Sequence, residues 1–394
     1  ALLKLFEGTD AARTSTQSCD GYHGVRLYRA NMLRRLLFPR ERYTRVPVQL
    51  ILPSQDKFVG PDIFSELSQW VPALWVRRID AGHWLPLQSP QWLAQTIRDF
   101  VTHLKNPEAP HPHARFRCRQ VGHESGRLVV VTGAGSGIGR ATTLAYAEQG
   151  ATVVAADISA EAAERTARLG NLGGGKVVPY VVDVSDADAM SHFASWVQQR
   201  LGVADIVINN AGIGMAGGIF ATGVNDWARI LGVNVWGIIH GARLFAAQMK
   251  DAGQPGHIVN VASAAAFSPS RTFPAYATTK AAALMLSECM RAELAEHRIG
   301  VTTICPGFVD TGIATATQYV GVSAEEQARR RDKAARLYRW RGFGAERVAR
   351  ALQKGVSNNS AVVLVGVEAW GAHWLSRLSP GLRRLFARVD FSPG

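Results

Sequence analysis

The sequence contains little cysteine, four residues in 394, and none of the four lies in a CxxC pair or at a metal-ligand spacing. A disulfide framework and a bound metal are therefore not expected. Unpaired thiols suit a reducing compartment, so we expect a cytoplasmic protein. No uninterrupted run of about 18 apolar residues occurs, and no transmembrane helix is expected. No signal peptide is visible, but the sequence begins at Ala1 rather than Met, and we expect an upstream segment.

Acidic residues are also scarce, with 31 Asp and Glu against 44 Lys and Arg and a net charge of +13. Such an excess of positive charge indicates an anionic partner, or else a basic surface that simply faces solvent. No nucleic-acid-binding motif occurs, and we expect no nucleic-acid partner. A membrane surface and an acidic substrate remain as candidate partners.

Two blocks of sequence are separated by a segment without apolar periodicity. Residues 105–125 contain three closely spaced prolines and several histidines, which is typical of a linker. We predict a first segment at residues 1–104, a linker at 105–125 and a second domain at 126–394. Hydrophobic residues make up 47 % of the sequence, which is ample for buried cores.

The second block alternates short apolar runs with amphipathic helical stretches. Continuously apolar strands are typical of a parallel sheet that is buried on both faces. We therefore predict an α/β fold, a Rossmann-like doubly wound parallel sheet with helices on both faces and a ligand site at the carboxyl ends of the strands. The predicted strands are 127–132, 151–157, 177–183, 205–209, 257–262, 301–305 and 361–365.

A glycine-rich loop joins the first predicted strand to a helix. It spans residues 132–139, TGAGSGIG, and the helical pattern begins at Arg140. Glycines permit a tight turn and let backbone N–H groups approach a pyrophosphate at a helix N-terminus, and the strand–loop–helix context supports this interpretation. The positions predicted to contact a cofactor here are Gly133, Ser136, Gly137, Ile138 and Gly139.

Asp157 ends the second strand, 18 residues after Gly139. A carboxylate there can accept hydrogen bonds from the ribose hydroxyls of NAD and would repel the additional phosphate of NADP. Neither Ser136 nor Ile158 is basic, so we predict a preference for NAD(H) over NADP(H). The alternative is that Asp157 only caps the following helix.

Tyr276 and Lys280 are four residues apart in a helical stretch and therefore share one helix face. A nearby ammonium favours the phenolate and lowers a tyrosine pKa from its usual value of about 10, so the pair could exchange a proton with an alcohol or ketone. Ser263, at the end of the fifth strand, could hold the substrate oxygen. Alone, such a pair is usually only a helix surface; the nucleotide loop favours catalysis.

With these motifs in order, residues 127–366 resemble a short-chain dehydrogenase/reductase. The resemblance implies that Asn234, in GVNVWG, joins Ser263, Tyr276 and Lys280 in a catalytic tetrad, with its backbone holding a water of the proton relay. It also implies that Lys280 binds the nicotinamide ribose. The further cofactor contacts implied by the family motifs are Asp183 and Val184 at the adenine, Asn210, Ala211 and Gly212 of the NNAG motif, and Pro306, Gly307, Val309 and Thr311 around the carboxamide.

The implied activity is hydride transfer between NAD(H) and a secondary alcohol or ketone, and we expect a homo-oligomer. The alternative from another class is a nucleotide-binding sensor that turns nothing over. The complete tetrad argues against a sensor, because a sensor needs no proton relay.

Residues 47–104 resemble the end of an α/β-hydrolase. A strand-like run at 47–52 is followed by Asp56, and residues 79–84 resemble the histidine loop around His83. These two residues match the acid and base of a hydrolase, but no G-x-S-x-G or G-x-D-x-G nucleophile elbow precedes Asp56. The whole chain thus resembles an actinobacterial bifunctional protein, an epoxide-hydrolase-like domain followed by a dehydrogenase, with the first domain truncated. We expect Asp56 and His83 to be only packing and loop residues, and hydrolysis is the second alternative function.

Arginines and large apolar residues alternate near the C-terminus. This pattern suits peripheral contact with an anionic membrane and a hydrophobic or lipid-like substrate, or else a helix docked on its own domain or on a partner subunit. The first cluster, at the position of a substrate lid, is Arg329, Arg330, Arg331, Lys333, Arg336, Leu337, Tyr338, Arg339, Trp340 and Arg341. The second is Trp370, Trp374, Leu375, Arg377, Leu378, Leu382, Arg383, Arg384, Leu385, Phe386 and Arg388.

Overall fold

The computed structural model describes residues 43–105 and 126–388, apart from positions 45, 54, 55, 57, 65, 66, 72, 73, 80, 173, 174 and 342. The chain divides into two compact units between residues 117 and 118. This division falls inside the predicted linker, most of which lies outside the described residues. The exact domain limits stay a prediction.

The first unit is built around two parallel strands, β1 (Val48–Pro53) and β2 (Leu74–Ile79), whose register pairs Leu50 with Val76. Among its described residues the helices are α1 (Leu67–Trp70), α2 (Leu85–Gln88) and α3 (Pro90–Lys105), with a 3-10 turn at Pro61–Phe64. Trp75 packs edge-to-face on Phe100 of α3, with ring centroids 5.3 Å apart. Ile97 and Val101 of the same helix are exposed, so this small core leaves apolar surface uncovered.

The second unit contains the predicted seven-stranded, fully parallel sheet. The strands are β3 (Leu128–Thr132), β4 (Thr152–Asp157), β5 (Lys176–Val181), β6 (Ile206–Asn209), β8 (Gly256–Val261), β9 (Ile299–Pro306) and β11 (Val362–Val365), with a separate two-stranded pair, β7 (Met215–Ala216) and β10 (Gln318–Tyr319). Their spatial order is β11-β9-β8-β6-β3-β4-β5, so the order in which strands are added along the sheet reverses between β3 and β6. This is the Rossmann-like order, and the fold class is confirmed.

Helices cover both faces of this sheet. Those at its centre are α4 (Gly137–Glu148), α5 (Ala160–Leu172), α6 (Ala187–Leu201), α7 (Val224–Leu231), α8 (Gly237–Asp251) and α9 (Pro274–Leu294). The remaining ones are α10 (Ile313–Ala316), α11 (Ala324–Arg341), α12 (Ala345–Ser357), α13 (Val367–Leu378) and α14 (Pro380–Phe386). A π-helical turn, Gly232–Trp236, connects α7 to α8, and a 3-10 turn, Ala264–Phe267, precedes α9.

The two faces of the sheet explain why the strands are continuously apolar. Along β3, Val129 and Val131 belong to the core beneath α4 and α12, whereas Leu128 and Val130 belong to the core beneath α6 and α8. Successive side chains point to opposite faces of a strand, so both sets must be apolar when both faces are buried.

The third predicted strand, 177–183, is too long at its carboxyl end. The observed strand stops at Val181, and Asp183 lies in the turn that follows. The carboxylate of Asp183 accepts hydrogen bonds from the backbone N–H and the hydroxyl of Ser185, at 2.9 and 2.7 Å. Such local side-chain bonds favour a turn over continued strand pairing.

One continuous helical run, Val224–Asp251, is long and apolar enough to cross a membrane by length and composition, with a mean hydropathy of 1.4 over its best window. It is the only such run among the described residues. Ala242, Phe245 and Met249 of this run are buried against the sheet. Buried positions make up 44 % of that window, so packing against the sheet covers part of this apolar run.

Candidate active site

The glycine-rich loop is held in a conformation that side chains would obstruct. Gly133 and Gly137 have φ angles of +63° and +52°, in the left-handed region that favours glycine. A Cβ on Gly139 would collide with the carbonyl oxygen of Gly133, and a Cβ on Gly133 would lie 2.7 Å from the Cα of Ala211. The loop is thus packed tightly against itself, and α4 begins within it at Gly137.

The NNAG segment clamps this loop to the neighbouring strand. The side-chain amide of Asn210 donates to the carbonyl oxygens of Thr132 and Gly133, at 2.9 and 3.1 Å. The backbone N–H groups of Asn210 and Ala211 donate to the Thr132 hydroxyl, at 3.1 and 3.2 Å. These contacts join the carboxyl ends of β3 and β6, where a doubly wound sheet opens its ligand crevice.

Asp157 lies at the end of β4 and faces the glycine-rich loop. Its Oδ2 accepts a hydrogen bond from the Gly135 N–H at 2.8 Å, and its Oδ1 accepts one from the Ser159 N–H at 3.0 Å. Each carboxylate oxygen can accept more than one hydrogen bond, so capacity for ribose hydroxyls remains. Ile158 beside it is exposed and offers no charge.

Arg140 is a basic residue near this position that the sequence prediction overlooked. It follows Gly139 directly, and its Nε donates to the Gly135 carbonyl oxygen at 3.1 Å. The position immediately after the last glycine was the available signal. The guanidinium is tied to the loop backbone at Gly135, the same residue whose N–H donates to Asp157.

The NNAG segment also leads to the predicted tetrad. A Cβ on Gly212 would lie 3.3 Å from both Asn234 Oδ1 and Lys280 Nζ. On the adenine side, Val184 is buried and packs so closely on α8 that a Cβ on Gly237 would lie 2.8 Å from its methyl group. Asp183, predicted to contact adenine, precedes Val184 in the same turn.

Asn234 is fully buried in the π-helical turn between α7 and α8. Its Oδ1 accepts from the Ile213 N–H at 2.8 Å, and its Nδ2 donates to the Ile213 carbonyl oxygen at 3.0 Å and to the Thr279 hydroxyl at 3.1 Å. The side chain therefore fixes the segment after Gly212 to α9. A π-turn inside a helix often marks a functional site, and nothing in the sequence pattern indicated it.

Ser263, Tyr276 and Lys280 are brought together at the carboxyl end of β8. Ser263 caps the 3-10 turn, while Tyr276 and Lys280 lie one turn apart on α9. Lys280 is only 4 % exposed, and its Nζ donates to the Val261 carbonyl oxygen at 2.9 Å. The same Nζ lies 5.7 Å from the centroid of the Tyr276 ring.

The pKa of Tyr276 departs from the sequence expectation. Burial raises the pKa of its phenol, and this outweighs the lowering by a hydrogen bond with Ser263. Burial also lowers the pKa of Lys280 to about 8, against a small opposing effect of Cys305. The expectation of a lowered pKa for Tyr276 is therefore wrong for the protein alone, because desolvation outweighs the interactions that stabilise the phenolate.

The segment at the carboxyl end of β9, from Pro306 to Thr311, closes the other side of the crevice. Pro306 ends β9, and the Gly307 N–H donates to the Val365 carbonyl oxygen at 2.8 Å. Val309 is buried, and Thr311 approaches the glycine-rich loop so closely that a Cβ on Gly137 would lie 3.0 Å from its Cβ. The structure thus places the predicted cofactor and tetrad positions along one edge of the sheet.

The predicted lid is the helix α11, and part of its charge is neutralised locally. Arg329 and Arg330 both pair with Glu326, and Arg336 pairs with Asp332. Arg331 donates through Nε to the Thr317 carbonyl oxygen at 2.8 Å. The side chains of the predicted lid residues Tyr338, Arg339, Trp340 and Arg341 lie outside the described residues.

Asp56 and His83 form a pair in the first unit. His83 Nδ1 lies 2.8 Å from Asp56 Oδ2, and Asp56 Oδ1 accepts from the N–H groups of Phe58 and Val59 at 2.8 and 2.9 Å. Burial works to raise the pKa of Asp56, but the hydrogen bonds from Val59, His83 and Phe58 together lower it. The expectation that the two residues only pack is incomplete, since they also line a cavity of about 340 Å³ with Ile51, Leu52, Pro53, Val59, Phe64, Leu85, Pro86 and Leu93.

Comparison with known proteins identifies relatives of both parts of the chain. The short chain dehydrogenase family model matches residues 127–319. The oxidoreductase EphD of Mycobacterium tuberculosis is 40 % identical over 388 residues, which is 95 % of this chain and 65 % of EphD. The oxidoreductase SadH of the same organism is 32 % identical over 64 % of this chain and 91 % of SadH. The chain therefore spans somewhat less than two thirds of EphD and nearly all of SadH.

Solved structures agree in fold and differ in their nicotinamide cofactor. A short-chain dehydrogenase/reductase from Burkholderia phymatum in complex with NAD is 29 % identical, with a TM-score of 0.61 over 68 % of this chain and 98 % of its own. A metagenomic short-chain oxidoreductase in complex with NADP is 26 % identical, with a TM-score of 0.50 over 61 % of this chain and 97 % of its own.

Removal of the buried charge of Lys280 should stabilise the protein without cofactor. At neutral pH the ammonium is buried in the folded state, and its lowered pKa measures the cost at about 1.4 kcal/mol per unit. After allowance for the lost hydrogen bond to Val261, Lys280→Met should raise the free energy of unfolding by about 2 kcal/mol at pH 7. Urea denaturation measures this, with the exposed Lys354→Met as a control expected to change it by under about 0.5 kcal/mol.

The pH dependence gives this prediction its sign. Between pH 8 and 10.5 the folded wild type releases the Lys280 proton before the unfolded chain does, so wild-type stability rises with pH and the advantage of the variant shrinks. A variant that is less stable than wild type at pH 7, by an amount that does not change with pH, would show that burial of the Lys280 ammonium does not destabilise the fold.

Proposed function

Because the chain belongs to the short-chain dehydrogenase/reductase family and is an oxidoreductase, we propose that it transfers a hydride between NAD(H) and a hydrophobic secondary alcohol or ketone. Tyr276 is the proposed general acid and base. The observation that carries this proposal is the convergence of Tyr276, Ser263 and the buried Lys280 at the end of β8, with Asn234 fixing the adjoining segment.

The residues at the edge of the sheet suit a dinucleotide. The loop around Gly139 has no room for a side chain, and it opens a helix N-terminus that favours a pyrophosphate. Asp157 would hold the ribose, Asp183 and Val184 the adenine, and Lys280 the second ribose. Val309 and Thr311 would hold the carboxamide. When bound there, the nicotinamide supplies or accepts the hydride.

The proton in the proposed reaction belongs to Tyr276. In ketone reduction its hydroxyl donates the proton to the carbonyl oxygen while hydride adds to the carbonyl carbon, and alcohol oxidation reverses both transfers. Ser263 donates a hydrogen bond to the same oxygen, and the Lys280 ammonium stabilises the phenolate left behind. Because burial raises the pKa of Tyr276, the phenol form needed for reduction is the form present at neutral pH.

Removal of the Tyr276 hydroxyl tests this assignment. Tyr276→Phe should lower kcat about 1,000-fold, within the range typical of a general acid, while the dissociation constant of NADH stays within about twofold. The buried Tyr146→Phe is the matched control and should keep its activity. Turnover is measured with secondary alcohols and ketones of graded chain length. If Tyr276→Phe keeps near-normal kcat, another residue moves the proton.

The same substrate series separates an enzyme from a nucleotide-binding sensor. A sensor would bind NADH with a measurable dissociation constant and turn over no member of the series. The proposed enzyme should prefer the longer, hydrophobic members, because Tyr276 packs against an apolar cluster formed by Met215, Ile230 and Ala275.

NAD(H) is the proposed cofactor because the Asp157 carboxylate, at the end of β4, would repel the additional phosphate of NADP. Asp157→Asn keeps an acceptor for the Gly135 N–H and removes the charge. It should weaken NADH binding about tenfold, through the loss of charged hydrogen bonds to ribose, and tighten NADPH binding. Glu161→Gln, a nearby change of charge at an exposed position of α5, should alter neither dissociation constant. Equal or tighter NADPH binding by the wild type would refute the preference.

A hydrolase half-site in the first unit is the second candidate function. The observation that favours it is the Asp56–His83 hydrogen bond beside the 340 Å³ cavity. Such an acid–base pair is of the kind that activates water or a nucleophile. The proposal places the nucleophile on a segment outside this sequence, in agreement with the greater length of EphD.

Two measurements test the half-site. The chain alone should hydrolyse neither styrene oxide nor p-nitrophenyl butyrate, because it lacks a nucleophile elbow. Addition of the part of EphD that lies outside the 388 aligned residues should confer hydrolysis on the wild type but not on His83→Ala. Turnover by the chain alone that His83→Ala abolishes would place the nucleophile within this sequence instead.

A further inference from the structure

The two C-terminal helices expose a row of large apolar side chains. Val367, Trp370, Trp374 and Leu378 recur at helical spacing along one side of α13, and Leu378 is 76 % exposed. Leu382, Leu385 and Phe386 continue the exposed apolar surface on α14. We call these seven side chains the C-terminal face. An apolar patch of this kind on a folded domain marks an interaction site.

The charge of the same helices is almost entirely positive. Residues 367–388 contain four arginines, Arg377, Arg383, Arg384 and Arg388, and a single acidic residue, Glu368. Both carboxylate oxygens of Glu368 are buried, so residues 367–388 themselves present no exposed acidic group beside the arginines. Tryptophan together with arginine on one helix surface suits the boundary between lipid headgroups and acyl chains.

The C-terminal face is joined to the segment that connects Ser263 to Tyr276. The ring of His373 packs edge-to-face on Phe267, with centroids 5.0 Å apart, and the Arg271 N–H donates to the Ala387 carbonyl oxygen at 3.1 Å. On the other side of this segment, the Gly217 N–H donates to the Thr272 carbonyl oxygen at 2.9 Å. The loop that begins at Gly217 carries two further exposed apolar residues, Ile219 and Phe220.

We propose that the C-terminal face docks on an anionic lipid bilayer and brings the dehydrogenase site to a substrate dissolved in that bilayer. The docking itself rests on exposure and charge, whereas the delivery of substrate rests on the proposed function. A second copy of the chain fits this face less well. An isologous contact would place the arginines of one copy against those of the other.

Vesicle co-sedimentation of the full chain tests the docking. The vesicles are phosphatidylcholine alone and an equimolar mixture of phosphatidylcholine and phosphatidylglycerol. Binding to the anionic vesicles should be at least about tenfold tighter, since each arginine at an anionic surface contributes. High salt should weaken the binding through screening. Equal binding to both vesicles, or binding to neither, overturns the proposal.

Two pairs of substitutions test the face independently. Trp370→Ser with Trp374→Ser removes apolar anchors, and Arg384→Glu with Arg388→Glu reverses charge at exposed positions. Each pair should weaken anionic-vesicle binding about tenfold or more without lowering the thermal unfolding midpoint. Met285→Ser and Arg200→Glu are exposed apolar and exposed basic controls on α9 and α6, and both should bind as wild type does. Unchanged binding by both face variants overturns the proposal.

Activity measurements separate the docking from the proposed chemistry. The face variants should reduce a short, water-soluble ketone as wild type does but lose about tenfold in rate on a long-chain ketone supplied in anionic vesicles. If no ketone is turned over while vesicle binding holds, the proposed function fails and the docking stands. If wild type ignores vesicles but forms a dimer that the face variants dissociate, the face is a subunit interface and the docking is refuted.

Discussion

The close approach of two loops at the centre of the sheet is the constraint on which the candidate site depends. The loop after β3 and the NNAG loop after β6 meet so tightly that a Cβ on Gly133 would overlap Ala211. The Asn210 amide and the Thr132 hydroxyl hold them in that arrangement. The order in which strands are added along the sheet reverses between these two strands, so the contact between their loops defines the crevice. The same NNAG loop leads through Gly212 to Asn234 and Lys280.

Buried polar side chains are concentrated at this edge, and their desolvation costs folding free energy. Asn234 and Lys280 are buried, and each is offset by hydrogen bonds to backbone groups, of Ile213 for the amide and of Val261 for the ammonium. Desolvation still raises the pKa of Tyr276 and lowers that of Lys280. Two apolar cores, one on each face of the sheet, surround the same strands, and their burial offsets this desolvation cost.

Surfaces outside the crevice carry the other functional possibilities of the chain. The first unit keeps an ordered acid–base pair next to a cavity, although its small core leaves parts of α3 exposed. The C-terminal face combines exposed aromatic residues with arginines, and the single acidic residue of its helices, Glu368, has both carboxylate oxygens buried. Both features separate the chain from a plain dehydrogenase domain.

Local pattern alone was sufficient for the strands, the glycine-rich loop and the one-turn spacing of Tyr276 and Lys280. A continuously apolar strand is stable only when both faces of the sheet are covered, and the glycine positions follow from backbone sterics. Short stretches of sequence are therefore enough to predict both features. The end of β5 was misplaced because a hydrogen bond between Asp183 and Ser185 stopped the strand. The sequence indicated Arg140 only as the start of a helix, because its hydrogen bond to the Gly135 carbonyl depends on how the loop folds back.

Only the tertiary structure decided features that depend on groups distant in sequence. The π-turn places the Asn234 side chain for hydrogen bonds to Ile213 and Thr279, and the Asp56–His83 pair forms across residues that precede and follow β2. The pKa of Tyr276 is raised and not lowered as predicted, for the same reason. The spacing of Tyr276 and Lys280 along α9 is local, whereas desolvation depends on everything that packs around the ring. Proximity along the chain specified which groups could interact, and burial by the rest of the fold determined how strongly.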